Sequence, residues 1–152
     1  MKKTKKQESG RSMIEMVGVL AIMGLVTAGA FILIQSGLSS QKISRTSDEL
    51  DILVSNARSM TAQSDSFKSL GTKLDGGKTL AASMLKSDGK SPIGGDYYVY
   101  AAGTDYKNLY VGIDGISESD CTTMAARSFS GGTTRCMDNN GKKAFRITYG
   151  KQ

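Results

Sequence analysis

The chain has no histidine and no tryptophan, a single proline and two cysteines, and aromatic residues fill only 7% of its 152 positions. The absence of histidine excludes Ser-His-Asp and Cys-His catalysis, His-ligated metal sites and imidazole acid–base chemistry. Two cysteines are too few for a Cys₄ zinc or iron–sulfur site. These absences argue against an enzyme, and no catalytic residue, metal or cofactor is expected. The length suits one domain, and 39% hydrophobic with 22% charged residues suits a folded one. Charge is missing from one place in particular. Met16 to Ile34 is 19 residues without a charge, with Thr27 its only hydroxyl. The rest of the chain is correspondingly polar.

Four lysines and one glutamate lie in the first ten residues, MKKTKKQESG, and no basic residue occurs between Arg11 and Lys42. As a helix, Met16–Ile34 spans roughly 28 Å, close to a bilayer hydrocarbon core. The charge asymmetry favours a cytoplasmic N-terminus. A secretory signal is one reading, with Ala28-Gly29-Ala30 as a small-x-small cleavage site. However, the apolar run continues past it through Phe31-Ile32-Leu33-Ile34. An ordinary single-pass anchor accounts for length and charge but not for Glu15, a carboxylate costing a few kcal/mol at the membrane edge unless paired or near the interface.

Gly10-Arg11-Ser12-Met13-Ile14-Glu15-Met16-Val17, between a lysine-rich leader and an uninterrupted apolar run, resembles the start of type IV pilin and pseudopilin precursors. The resemblance covers about residues 1–60. It implies a leader of residues 1–10, removed after Gly10 by a membrane-side prepilin peptidase that methylates the new amine of Arg11. It makes Glu15 the fifth mature residue. It implies a membrane and assembly half-helix over 11–36 and a globular head over 37–152. The implied function is a structural subunit of a homo-oligomeric helical filament, built by inner-membrane assembly machinery. The precursor would sit in the cytoplasmic membrane, and the product would be an extracellular pilus or a periplasmic pseudopilus. Alternatives are a pseudopilin or minor pilin of a secretion or DNA-uptake machine, and a membrane-anchored binding domain that never polymerises. Two residues depart from the family pattern. Arg11 stands where Phe or another apolar residue is usual, and Ile32 is near the place of a common mid-helix proline.

In such a filament the family places the Glu15 carboxylate near a neighbour's N-terminal amine. Removing two opposite charges from water together is far less costly than removing either alone. The competing role for Glu15 is a local i,i+4 pair with Arg11.

Beyond the apolar run the period becomes that of an amphipathic helix. Ile43, Thr46, Leu50, Leu53, Ala57 and Met60 recur at threes and fours, with Val54 alongside. One helix from about Ser12 to Ala62 is expected. Residues 64–96 read as loop with one short helix around Leu80, Met84 and Leu85, Thr79 being its candidate N-cap. Tyr97–Ala101 and Leu109–Ile113 read as a hairpin of two strands. Ser117 starts a helix over Cys121–Phe129, which Gly131-Gly132 ends; Arg135–Met137 and Ala144–Tyr149 are strands joined by a turn at Asn139-Asn140-Gly141. The expected fold class is α+β: a long N-terminal helix packed on a small antiparallel sheet.

Cys121 and Cys136 both fall in the part expected outside the cytoplasm, where oxidation favours a disulfide; two reduced buried thiols are the alternative. A disulfide here also matches the family's C-terminal bridged segment. Asp138–Gly141 offers oxygen ligands but lacks the acidic spacing of a calcium loop, so a solvated turn is expected. Tyr98, Tyr100 and Tyr110 share the sheet face opposite Val99 and Val111, a ligand patch or a surface packed under residues 64–96. Lys142, Lys143 and Arg146 form a small basic cluster. Without residues 1–10 the chain has 16 basic and 13 acidic residues, too small an excess to support nucleic-acid binding.

Overall fold

The computed structural model describes residues 9–139 and 141–151, with residues 9–12 described by their backbone alone. Residues 1–8 of the expected leader and Asn140 of the expected turn lie outside the described residues. The chain divides into two units, Met1–Ser40 and Gln41–Gln152, and helix α1 (Ser9–Met60) runs through both. From Met13 to Ser40 every residue is exposed, so this part buries nothing of its own. It is long and apolar enough to cross a membrane. Thr27 satisfies its hydroxyl within the helix, donating to the carbonyls of Met23 (2.6 Å) and Gly24 (3.1 Å).

The second unit is α+β, as the period changes in the sequence imply. Its elements after α1 are a short 3-10 turn (Lys68–Leu70), α2 (Leu74–Leu85), β1 (Asp96–Ala102), β2 (Asn108–Ile116), α3 (Glu118–Ala125), β3 (Thr133–Asn139) and β4 (Lys142–Gly150). The strands form one antiparallel sheet in the order β1-β2-β4-β3. Across it Val99 is opposite Val111 and Val111 opposite Ile147, while Tyr97, Ile113 and Phe145 form the next row. These residues, with Leu109 and Tyr149, form the core with Ile43, Leu50, Leu53, Val54 and Ala57 of α1. Each fully buried aliphatic or aromatic side chain contributes about 1.5–3 kcal/mol relative to exposure, so the α1 stripe anchors the sheet.

Several local expectations need correction. Met60 is 61% exposed, and the stripe ends instead at Thr61, one helical turn beyond Ala57. Buried Thr61 satisfies its hydroxyl on the Ala57 carbonyl at 2.8 Å. α2 begins at Leu74, so Thr79 lies within it and is not its N-cap; that position is Lys73. Gly76 and Gly77 read as helix breakers by propensity, yet tertiary contact decides otherwise. A Cβ on Gly77 would lie 2.7 Å from the Val99 carbonyl oxygen, so only glycine lets α2 press against the backbone of β1. α3 is shorter than expected, ending at Ala125. The chain then leaves the helix and places Phe129 in the core beside Phe145, ring centroids 5.6 Å apart. Its start is as read: the Ser117 hydroxyl accepts from the Asp120 amide.

Candidate functional site

The residues singled out for chemistry fall into two groups, one in each unit. The first is the start of α1. Gly10 and Arg11 lie in its first turns, which begin at Ser9. Glu15 is exposed and makes no ion pair among the described side chains. The expected Arg11–Glu15 contact lies outside the described residues, since the Arg11 side chain is not described. Following Glu15 is a surface of Met16, Val17, Leu20 and Met23, each more than 60% exposed, and of further exposed apolar side chains. Gly18, Gly24, Gly29 and Gly37 have open space where a Cβ would stand. Chemically this is a carboxylate, unpaired among the described side chains, bordering an uncovered hydrocarbon surface. In water that surface is unfavourable by about 25 cal/mol per Å², so it calls for lipid or protein around it.

The second group is in the head. Cys121 and Cys136 are joined in a disulfide with Cα atoms 6.0 Å apart and a sequence separation of 15. It ties α3 to β3, the outermost strand next to β4. Cys121 is buried and Cys136 exposed, so one end of the bridge is set in the core and the other holds the edge.

The three tyrosines of the opposite sheet face meet as an aromatic row. Tyr98 and Tyr100 lie 5.6 Å apart, and Tyr100 and Tyr110 meet edge-to-face at 5.5 Å. Tyr98 is fully buried above Gly112 and donates to the Phe145 carbonyl at 3.1 Å. Burial pushes its phenol well above the ordinary value. Residues 64–96 cover this row only in part: Leu74 of α2 lines a shallow cavity of about 220 Å³ with Tyr98, Tyr100, Asp114 and Met137.

The basic cluster does not persist as a patch. Lys143 pairs with Asp138 (2.8 Å) and Glu118 (3.6 Å), and the Arg146 guanidinium stacks 4.2 Å from the Tyr110 ring centroid. The oxygen-rich turn is likewise engaged. Asn139 donates to Asp114 at 2.6 Å, and Asp114 accepts from Lys78 at 2.9 Å. Burial alone would raise the Asp114 carboxyl, but the hydrogen bonds from Lys78 and Asn139 and the Lys78 charge together hold it below the ordinary carboxylate value. Among the described residues no group of three or more His, Cys, Asp or Glu is placed to hold a metal ion.

Sequence reasoning missed the polar ties that lock the head onto α1. Tyr97 donates to Glu49 at 2.6 Å, Thr46 and Ser91 share a buried hydrogen bond of 3.1 Å, and Arg58 stacks on Tyr149. Lys151, at the other end of the chain, donates to the carbonyls of Thr61 and Ser64. None carries a local signal, because each joins residues more than 40 positions apart. Comparison with protein-family models, with curated proteins and with solved structures gave no match.

Proposed function

We propose that the chain is a type IV pilin-like precursor, cut after Gly10 and assembled into a filament through α1. The observation that carries this reading is the division of labour along one helix. Its second half buries one face in an α+β head, while its first half, from Met13 to Ser40, is wholly exposed and largely apolar, with Glu15 near its start. An anchor alone needs the apolar length but not the carboxylate. A filament subunit needs both. Lipid covers the apolar surface first, and neighbouring helices cover it afterwards. Glu15 then selects the docked state by neutralising the amine that cleavage creates on a neighbour.

The Glu15→Ala variant separates the roles. Insertion depends on the apolar run and cleavage on Gly10, so both should proceed. Assembly should fail, because the neighbour's amine is left without a counter-charge at a cost on the order of 3 kcal/mol per contact. Processed protein accumulating in the membrane, with few or no filaments, is the expected result. Abundant filaments built from this variant alone would return Glu15 to a headgroup-level role.

A further inference from the structure

Where α1 carries the head, its solvent side is not uniformly polar. Lys42, Arg45, Asp48 and Asp51 follow one another at intervals of three, so they form a single oblique ridge across the exposed face. All four are exposed, and among the described residues none forms an ion pair. Arg45 and Asp48 are one helical turn apart and remain unpaired. Burial, and then the adjacent Asp48 charge, push the Asp51 carboxyl above its ordinary value. Beside the ridge Ile52 is 49% exposed, a large apolar side chain without a partner.

We infer that this ridge is a self-docking surface whose occupant is a second copy of the chain, the basic pair Lys42–Arg45 of one copy facing the acidic pair Asp48–Asp51 of the next. The inference rests on the filament reading, which makes neighbouring copies parallel because all leave one membrane in one orientation. Parallel copies with no axial offset would set Arg45 beside Arg45 and Asp48 beside Asp48, which repel. A shift of about six residues, roughly 9 Å at the helical rise, removes the like pairs and sets Asp48 beside Lys42 and Asp51 beside Arg45 of the neighbouring copy. The charge order therefore specifies an axial stagger as well as a partner, in the way flanking charges set register between paired helices. Each copy uses its acidic end toward one neighbour and its basic end toward another. Such a heterologous contact does not close on itself, so it propagates as an open helical array. Ile52 is covered in the same step.

Three variants of the full chain test this: Lys42→Glu with Arg45→Glu, Asp48→Lys with Asp51→Lys, and all four exchanged together. Each double reversal leaves four like charges on the ridge, and sheared filament mass should fall at least about tenfold. The fourfold exchange restores complementarity and should restore filaments. Independently, Arg45→Cys combined with Asp51→Cys should give a ladder of oxidised multimers that neither single variant gives. This readout decides the matter if a reversal disturbs the head. Wild-type assembly by both double reversals, without a ladder, overturns the surface and leaves the filament reading standing. No filaments and no ladder from the otherwise unaltered chain overturns both.

Discussion

The disulfide between Cys121 and Cys136 closes a short loop on an exposed edge, so its removal has a calculable effect. The sequence separation of 15 gives a loop-closure entropy corresponding to about 3 kcal/mol at room temperature. Replacing both cysteines by alanine adds a small cavity at Cys121, which is 1% exposed, and almost nothing at exposed Cys136. The loss of about 3 kcal/mol lowers the folded-to-unfolded ratio by about two powers of ten. It also has a location. β3 is mostly exposed and is held by its ladder to β4 and by the bridge, whereas β1, β2 and α1 share the core. Denaturant unfolding of the Cys121→Ala/Cys136→Ala chain in detergent should show the lowered midpoint. Hydrogen exchange should show protection lost first across Thr133–Asn139 and α3, with Leu50–Ala57 protected nearly as before. A destabilisation under 1 kcal/mol, or uniform loss of protection including α1, would refute this account of what the bridge does.

Two further outcomes follow from the head. Gly112→Ala should destabilise by at least roughly 1–3 kcal/mol, because its Cβ would lie 2.0 Å from the Phe145 carbonyl oxygen and 2.7 Å from the Tyr98 hydroxyl; an unchanged thermal midpoint contradicts the close packing of β2 on β4. The lowered Asp114 carboxyl contributes stability that is present above its unfolded value, near 3.9, and is lost as pH falls through the lower folded value. Acid titration of stability should therefore show a step below about pH 4 that Asp114→Asn removes. The same step persisting in the variant would assign it to another carboxylate.

Periodicity is what made most of the fold legible. The alternation in Tyr97–Ala101 and Leu109–Ile113 specified which side chains enter the core, and Leu109, Val111 and Ile113 are all fully buried. The three-four spacing from Ile43 to Ala57 marked the buried stripe of α1 equally well. What remained hidden was tertiary. Gly77 is a poor helix residue until β1 is placed beside it, and Phe129 leaves its helix because the core beside Phe145 draws it in. The strand order β1-β2-β4-β3 also has no local signature. Of the candidate site, the cysteine pair was legible from its being the only pair in the chain and from the compartment expected for the head. The basic cluster was misleading because Asp138, Glu118 and Tyr110, which engage Lys143 and Arg146, are brought there by the sheet and α3.

The central claim is that α1 begins, in the working protein, at a new amine next to Glu15. It is tested most directly by the N-terminal residue of the chain recovered from cells and from any sheared surface filaments, read by intact mass and N-terminal sequencing. The account predicts Arg11, its amine free or methylated, in both fractions. A chain beginning at Phe31 would identify secretory cleavage after Ala30, and one beginning at Met1 an uncut anchor. Either result would contradict assembly through Glu15.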